Sequence, residues 1–90
     1  EEAERFGLVN HVVPAEDLEE KTLEMARRIA SGPRIAYRYM KENISRAIRG
    51  DMMDCMDLEV THHVHTSLTR DHKEAVKAFV EKRTPTFEGR

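Results

Sequence analysis

The sequence has no tryptophan, a single cysteine and only 6 % aromatic residues. Because Cys55 is alone, no disulfide can cross-link the chain, and an unpaired thiol suits a reducing compartment. A chain of 90 residues buries only about 60 % of the surface that its unfolded form exposes. We therefore expect marginal stability for the isolated chain, supplemented by self-association.

Long apolar runs are also missing. No segment approaches the roughly 20 apolar residues that cross a bilayer, and no secretory signal peptide opens the chain. The net charge of −2 argues against a nucleic-acid-binding protein. We expect a cytoplasmic protein, or a mitochondrial-matrix protein in a eukaryote, with no membrane partner, no nucleic-acid partner and no cofactor.

What the sequence does contain is charge arranged with helical periodicity. Charged residues make up 36 % of the chain, a balance that helices with solvated outer faces satisfy. The periodicity predicts helices over residues 15–31, from Pro33 to about Arg49, from Asp51 onwards, and from Thr69 or Asp71 onwards. The predicted fold class is all-α for the isolated chain, with about four helices and one short N-terminal strand.

The N-terminal strand is predicted for Leu8–Val13, the only run rich in β-branched residues, which Pro14 closes. The preceding residues, 1–6, have the pattern of a helix end, and Gly7 suits the left-handed position that follows one. A lone strand leaves its backbone groups without partners. The strand and the abrupt helical start together predict that the chain is part of a longer protein.

Local residues also predict where helices begin. Asp51 is a good N-cap for the third predicted helix. Asp71 and Glu74 have the spacing of a capping box at the start of the last one, although such boxes prefer Ser or Thr as the cap.

Two patches of sequence resemble one known family. Residues 2–14 resemble the helix, turn and strand that close the catalytic core of enoyl-CoA hydratase/isomerase (crotonase) enzymes. Residues 69–87 resemble the C-terminal signature T-x-D-x-x-E-x-x-x-A-F-x-E-K-R-x-P-x-F of the same family. Between them, residues 29–33 and Lys41 match its "I-A-x-x-P…K" helix pair. One departure is Ala75, where many members have glycine. Alanine favours a helix by roughly 1 kcal/mol over glycine, so the change should be harmless.

The resemblance implies a division of the chain. Residues 1–14 would end the crotonase core, and residues 15–90 would form the C-terminal helical oligomerisation domain of the ClpP/crotonase α/β superfold. The family's oxyanion hole and acid–base carboxylates lie upstream of both patches, so no catalytic residue is expected here. The C-terminal helices of the family pack subunits into trimers or pairs of trimers, and their last helix reaches the CoA site. The substrate-binding positions that this implies are Phe79 and Lys82.

Simpler interpretations compete with both assignments. Phe79 lies on an apolar helix face, as an ordinary core aromatic would. Lys82 belongs to a charged helix end that is usually solvated and stabilised by the helix dipole.

A metal site is considered and not predicted. The pairs His62–His65 and Glu59–His63 have helical spacing, but they point to different sides and do not form H-E-x-x-H. A solvated or interface-lining histidine cluster, sensitive to pH near neutrality, is the preferred interpretation. The Met-rich stretch 52–56 with Cys55 is interpreted as adaptable core or interface filler rather than as a redox or copper site.

The sequence therefore predicts the C-terminal part of an acyl-CoA-processing enzyme of fatty acid metabolism. The reaction is expected to be hydration of a 2-enoyl-CoA or a related isomerisation, with an acyl-CoA substrate and a homo-oligomeric partner. The isolated chain is predicted to be inactive. Decarboxylation and thioester hydrolysis remain open, because the fold does not fix the reaction. A stand-alone helical interaction module without catalytic activity is the alternative from another class.

Overall fold

The computed structural model describes residues 1–90 and contains five α-helices. They are α1 (Glu2–Arg5), α2 (Leu18–Ala30), α3 (Arg34–Ala47), α4 (Met52–Ser67) and α5 (Arg70–Glu81), with a 3-10 turn at Ala15–Asp17 before α2. The all-helical fold class and the four long helices are confirmed. No helix is both long and apolar enough to span a membrane.

The predicted strand at Leu8–Val13 does not form. Residues 8–10 form a bend and residues 11–14 have no regular structure. None of residues 9–13 makes a backbone–backbone hydrogen bond. The prediction was wrong for this chain because a β-strand requires a neighbouring strand, and the chain supplies none.

Side-chain caps begin the last two helices. Asp51 Oδ1 accepts a hydrogen bond from the Met53 N–H at 2.8 Å, which confirms the predicted N-cap of α4. The cap of α5 is Thr69, whose Oγ1 accepts from the His72 N–H at 3.1 Å. The capping-box prediction for Asp71 and Glu74 was wrong, since both carboxylates bind the C-terminal residues instead.

The ends of α1 and α5 share one hydrogen-bond pattern, the Schellman motif. After α1, the Gly7 N–H donates to Glu4 O and the Leu8 N–H donates to Ala3 O. Gly7 has a φ of 72°, the left-handed conformation predicted for it. After α5 the corresponding residue is Lys82, the only residue other than glycine with a positive φ.

Helices α3 and α4 pack together around a polar core. His62 of α4 is buried against α3, where its ring stacks on Tyr39 with a centroid separation of 4.3 Å. Its Nδ1 lies 2.5 Å from Asn43 Oδ1. Gly32 is buried before α3 because the Tyr37 ring occupies the space that a Cβ would need. The only buried apolar side chain is Ala78 of α5, at 1 % exposure.

The molecule is flat and open. Its Cα radius of gyration is 16.7 Å and its extents are 43 × 38 × 19 Å. A globular domain of this length has a radius of about 12 Å. The accessible surface is 7921 Å², against about 5,400 Å² for a typical folded monomer of this mass. The helices therefore form a layer about two helices thick, with much of their apolar surface uncovered.

Candidate functional site

The end of α5 carries both side chains for which the sequence predicted substrate binding. Phe79 is 85 % exposed, and its neighbours Val76 and Val80 are also exposed. The face of α5 that packs inward carries Ala75 and Ala78 instead. Phe79 is thus not a core aromatic within this chain, and its ring is available to a ligand or to another protein surface.

Lys82 is the first residue beyond α5 and turns the chain. Its φ and ψ are 54° and 40°, and its N–H donates to Phe79 O at 3.3 Å. This left-handed conformation costs a residue with a Cβ about 1 kcal/mol or more. The side chain is exposed, and its ammonium takes part in none of the ion pairs of the chain. An ammonium without an ion pair and an exposed aromatic ring three residues earlier in the sequence are together suited to an anion with an aromatic part.

Beyond Lys82 the chain folds back along α5 as a segment that we call the C-terminal strap, residues 83–90. Arg83 begins the strap with two hydrogen bonds to the Glu74 carboxylate, at 2.5 and 3.0 Å. Its Nε donates to Glu81 Oε2 at 2.6 Å. The Thr86 N–H donates to Glu74 Oε1 at 3.1 Å. These donors, Arg83 first and Thr86 second, lower the pKa of Glu74 from 4.5 to about 2.

The far end of the strap is held by Asp71, which is 3 % exposed. Its Oδ1 accepts from the Glu88 N–H at 2.7 Å, and its Oδ2 accepts from the Gly89 N–H at 2.9 Å. The Asp71 N–H in turn donates to Arg90 O at 3.1 Å. From α3, Arg34 Nη2 donates to Glu88 O at 2.6 Å. The strap therefore joins the N-terminal ends of α3 and α5.

Sequence reasoning missed this strap. The signals available were two acidic residues one helical turn apart in α5 and a glycine near the C-terminus. Gly89 has a φ of 76°, and a Cβ there would meet the Arg34 guanidinium. The hydrogen bonds to Asp71 connect residues 17 and 18 positions apart, beyond the reach of local capping rules.

The histidines lie in different environments. His62 is buried, His72 is half-buried, and His63 and His65 are exposed. The carboxylate near His62 belongs to Glu42, with 3.7 Å between Nε2 and Oε2. No three or more His, Cys, Asp or Glu side chains are arranged to hold a metal ion.

The Met-rich stretch lies at the surface. Met52, Met53 and Met56 are exposed on α4, whereas Cys55 is half-buried with its thiol close to Gly50. Exposed methionines on one helix suit a surface that another protein covers.

An apolar groove of about 350 Å³ runs between α2 and the segment before it. Its lining combines apolar side chains with a few polar ones: Asn10, His11, Val13, Leu18, Lys21, Thr22, Met25, Ala26 and Ile29. None of these residues is buried. The groove thus presents a second uncovered apolar surface, on the side of the chain that holds the unpaired residues 9–13.

Comparison with known proteins agrees with the sequence patches. A sequence model of the family described as enoyl-CoA hydratase/isomerase matches residues 1–90. The mitochondrial enoyl-CoA hydratase of Pongo abelii is 34 % identical over 97 % of this chain and 30 % of its own length. The methylmalonyl-CoA decarboxylase of Escherichia coli is 33 % identical over 92 % of this chain and 33 % of its own.

Solved structures show the same similarity in three dimensions. The crystal structure of enoyl-CoA hydratase from Bacillus anthracis superimposes with a TM-score of 0.88 at 43 % identity. It covers 99 % of this chain and 34 % of the Bacillus chain. The chain spans about a third of the length of the relatives that it matches. Because the family model matches residues 1–90, the whole of this chain, the chain belongs to the enoyl-CoA hydratase/isomerase family.

Proposed function

We propose that this chain is the C-terminal helical segment of an acyl-CoA-processing enzyme. The proposed reaction is addition of water to a 2-enoyl-CoA, or a related enoyl-CoA isomerisation. In the full-length protein the segment joins subunits into a homo-oligomer, a trimer or a pair of trimers. It also covers the CoA site with Phe79 and Lys82.

The uncovered apolar surface is the observation that carries this proposal. Large apolar side chains on every helix of more than one turn are more than two-fifths exposed, among them Leu23, Met40, Val60 and Phe79. The accessible surface exceeds that of a globular protein of equal mass by roughly 2,500 Å². Single exposed apolar residues are ordinary, but continuous apolar faces of this extent belong to interfaces. Both a catalytic core and neighbouring subunits supply surfaces to cover them.

The role in CoA binding follows from the end of α5. CoA carries an adenine ring and several phosphates at the end remote from its thioester. The exposed Phe79 ring suits the adenine, and the free Lys82 ammonium suits a phosphate as a mobile point charge. Neither side chain polarises a thioester, so they affect binding rather than chemistry. We expect the 90-residue chain alone to turn over no acyl-CoA.

The proposed reaction rests on the named relatives of the chain. The family relatives include both a hydratase and a decarboxylase at nearly equal identity to this chain. Hydration is preferred because of the enoyl-CoA hydratase relatives. The compartment, cytoplasm or mitochondrial matrix, stays a prediction.

Residues 9–13 favour the fragment over a stand-alone interaction module. Their backbone groups make no hydrogen bonds to other backbone groups, and Val9 and Val12 are exposed. An autonomous domain ordinarily pairs such a β-branched run. In a crotonase core a neighbouring strand would pair it, which supports the proposal that residues 1–14 end that core.

The test of the CoA role is the Lys82→Ala variant of the full-length protein. We expect the KM for crotonyl-CoA to rise about tenfold, kcat to stay nearly intact, and the salt dependence of KM to flatten. Lys73→Ala is the matched control, since Lys73 is an exposed lysine on α5 that, like Lys82, takes part in no ion pair of the chain. A fall in kcat with unchanged KM, or turnover by the 90-residue chain alone, would contradict the proposal.

A further inference from the structure

Lys82 occupies a backbone position that helix ends ordinarily give to glycine. In the same chain, the equivalent position after α1 is occupied by Gly7. Gly7 adopts the left-handed conformation without a Cβ in the way, whereas Lys82 adopts it against steric resistance. A strained conformation persists only where neighbouring contacts fix it. The residues that follow Lys82 supply those contacts.

The first contact fixes the direction of the chain after Lys82. The Arg83 guanidinium is held by two carboxylates of α5, with its Nη atoms on Glu74 and its Nε on Glu81. Glu74 also accepts the Thr86 N–H. Its low pKa, about 2, keeps the carboxylate ionised throughout the physiological range. If residue 82 had a right-handed conformation, the helix would continue and Arg83 would point away from Glu74.

The second contact holds the other end of the strap. Asp71 accepts both the Glu88 and Gly89 N–H groups while Arg34 donates to Glu88 O. Phe87 lies on the wall of a small groove of about 130 Å³, together with residues of α3, α4 and α5 such as Ala36, Thr66 and Ala75. The strap is therefore fixed at both ends, and Lys82 is the turn between α5 and the strap.

We propose that the strap is a positioning device for Lys82. Glu74, through Arg83, and Asp71, through the strap backbone, hold Lys82 in the left-handed turn from which its ammonium reaches the phosphates of CoA. This inference rests on the proposed function of Lys82. Both carboxylates accept hydrogen bonds from the strap, so we assign them as positioning residues that act through it. Without the strap, residue 82 relaxes into the right-handed region, and its side chain swings to another side of the helix.

A double-mutant cycle in the full-length protein tests the inference. The variants are Glu74→Gln, Lys82→Ala and the double variant, and the measurement is the dissociation constant of free coenzyme A by calorimetry, with kcat for crotonyl-CoA alongside. We expect Glu74→Gln to weaken CoA binding three- to tenfold when Lys82 is present and to have no effect when Lys82 is alanine. The kcat should not change. Arg83→Lys keeps the charge but loses the two-pronged contact, and should behave as Glu74→Gln does.

Glu24→Gln is the matched control, because Glu24 pairs with Lys21 on α2 at 3.1 Å and is outside the strap. The positioning role is overturned if Glu74→Gln weakens CoA binding equally with Lys82 and with alanine at position 82. It is also overturned if Glu74→Gln has no effect in either background while Lys82→Ala weakens binding. Both results leave the proposed function intact. If Lys82→Ala itself leaves CoA binding unchanged, the proposed CoA contact fails and the inference fails with it. Should Glu74→Gln not fold, Arg83→Lys completes the same cycle.

Discussion

α2 and α5 are nearly equal in length, at 13 and 12 residues, yet they are attached to the rest of the chain in different ways. α2 buries none of its residues, and its main packing partner is the 3-10 turn that precedes it. α5 buries Asp71 and Ala78, and the strap binds it through Asp71, Glu74 and Glu81. The polar groups of α5 are satisfied inside this chain, whereas the apolar face of α2 needs another surface. The chain thus holds α5 and its strap together with its own contacts, but it does not form its own apolar core.

The largest effect should come from replacing Asp71, in the first turn of α5. Asp71→Ala removes the acceptor of the part-buried hydrogen bonds from the Glu88 and Gly89 N–H groups, and each bond to a charged group contributes about 1.5 kcal/mol or more. We expect the amides of Glu88 and Gly89 in the full-length protein to exchange with solvent about a hundredfold faster, an opening free energy about 3 kcal/mol lower. Hydrogen exchange followed by NMR or mass spectrometry measures this.

Asp17→Ala is the matched control, because the Asp17 side chain stands before α2 and makes no capping hydrogen bond. We expect the opening free energy of the α2 amides to fall by less than about 0.5 kcal/mol, because only the interaction of Asp17 with the helix dipole is lost. Equal effects of the two substitutions would show that the strap is no better anchored than α2.

Features that depend on neighbouring residues could be predicted from the sequence, whereas features that depend on residues far apart in the chain could not. Asp51 as a cap and Gly7 as a helix terminator depend on atoms within a few residues, so the sequence revealed both. The strand at Leu8–Val13 depends on partners that the chain does not contain. Asp71 was assigned to a local capping box because its true partners, Glu88 and Gly89, lie far along the sequence. The substrate-binding role of Phe79 and Lys82 was predicted from the family motif and stays a prediction. Periodicity alone would have placed Phe79 in the core, whereas its ring is exposed.

The uncovered apolar faces should govern association of the 90-residue chain. On α4 they include Met53, Met56, Val60 and Val64, and Val60 is 63 % exposed. Covering a valine contributes roughly 1.5 kcal/mol or more. Val60→Asp should therefore lower the self-association constant at least about tenfold, as measured by sedimentation equilibrium.

Thr61→Asp serves as the control, since it adds the same charge to an exposed residue about 100° around the helix. We expect it to leave association nearly unchanged. A well-folded monomer at every concentration of the unsubstituted chain would contradict the interface assignment.

The smallest expected effect is a weakening of the contact between Glu74 and the strap at acidic pH. Arg83 and the Thr86 N–H lower the pKa of Glu74 from 4.5 to about 2. A carboxyl whose pKa is lower in the folded state stabilises that state at every pH above its unfolded value. It loses the contribution as pH falls through the folded value. The contact between Glu74 and the strap should therefore weaken progressively between about pH 4.5 and pH 2 and stay constant above that window.

The chemical shift of the Thr86 amide should report this transition in an NMR titration, and Glu74→Gln should abolish it. α2 offers only the exposed Lys21–Glu24 pair, which contributes at most about 0.5 kcal/mol, so Lys21→Ala should leave the titration of Thr86 unaltered. A Thr86 transition centred near pH 4.5 would mean that Glu74 is not held by Arg83 in solution, and the contrast between the anchored strap and the loosely attached α2 would then not hold.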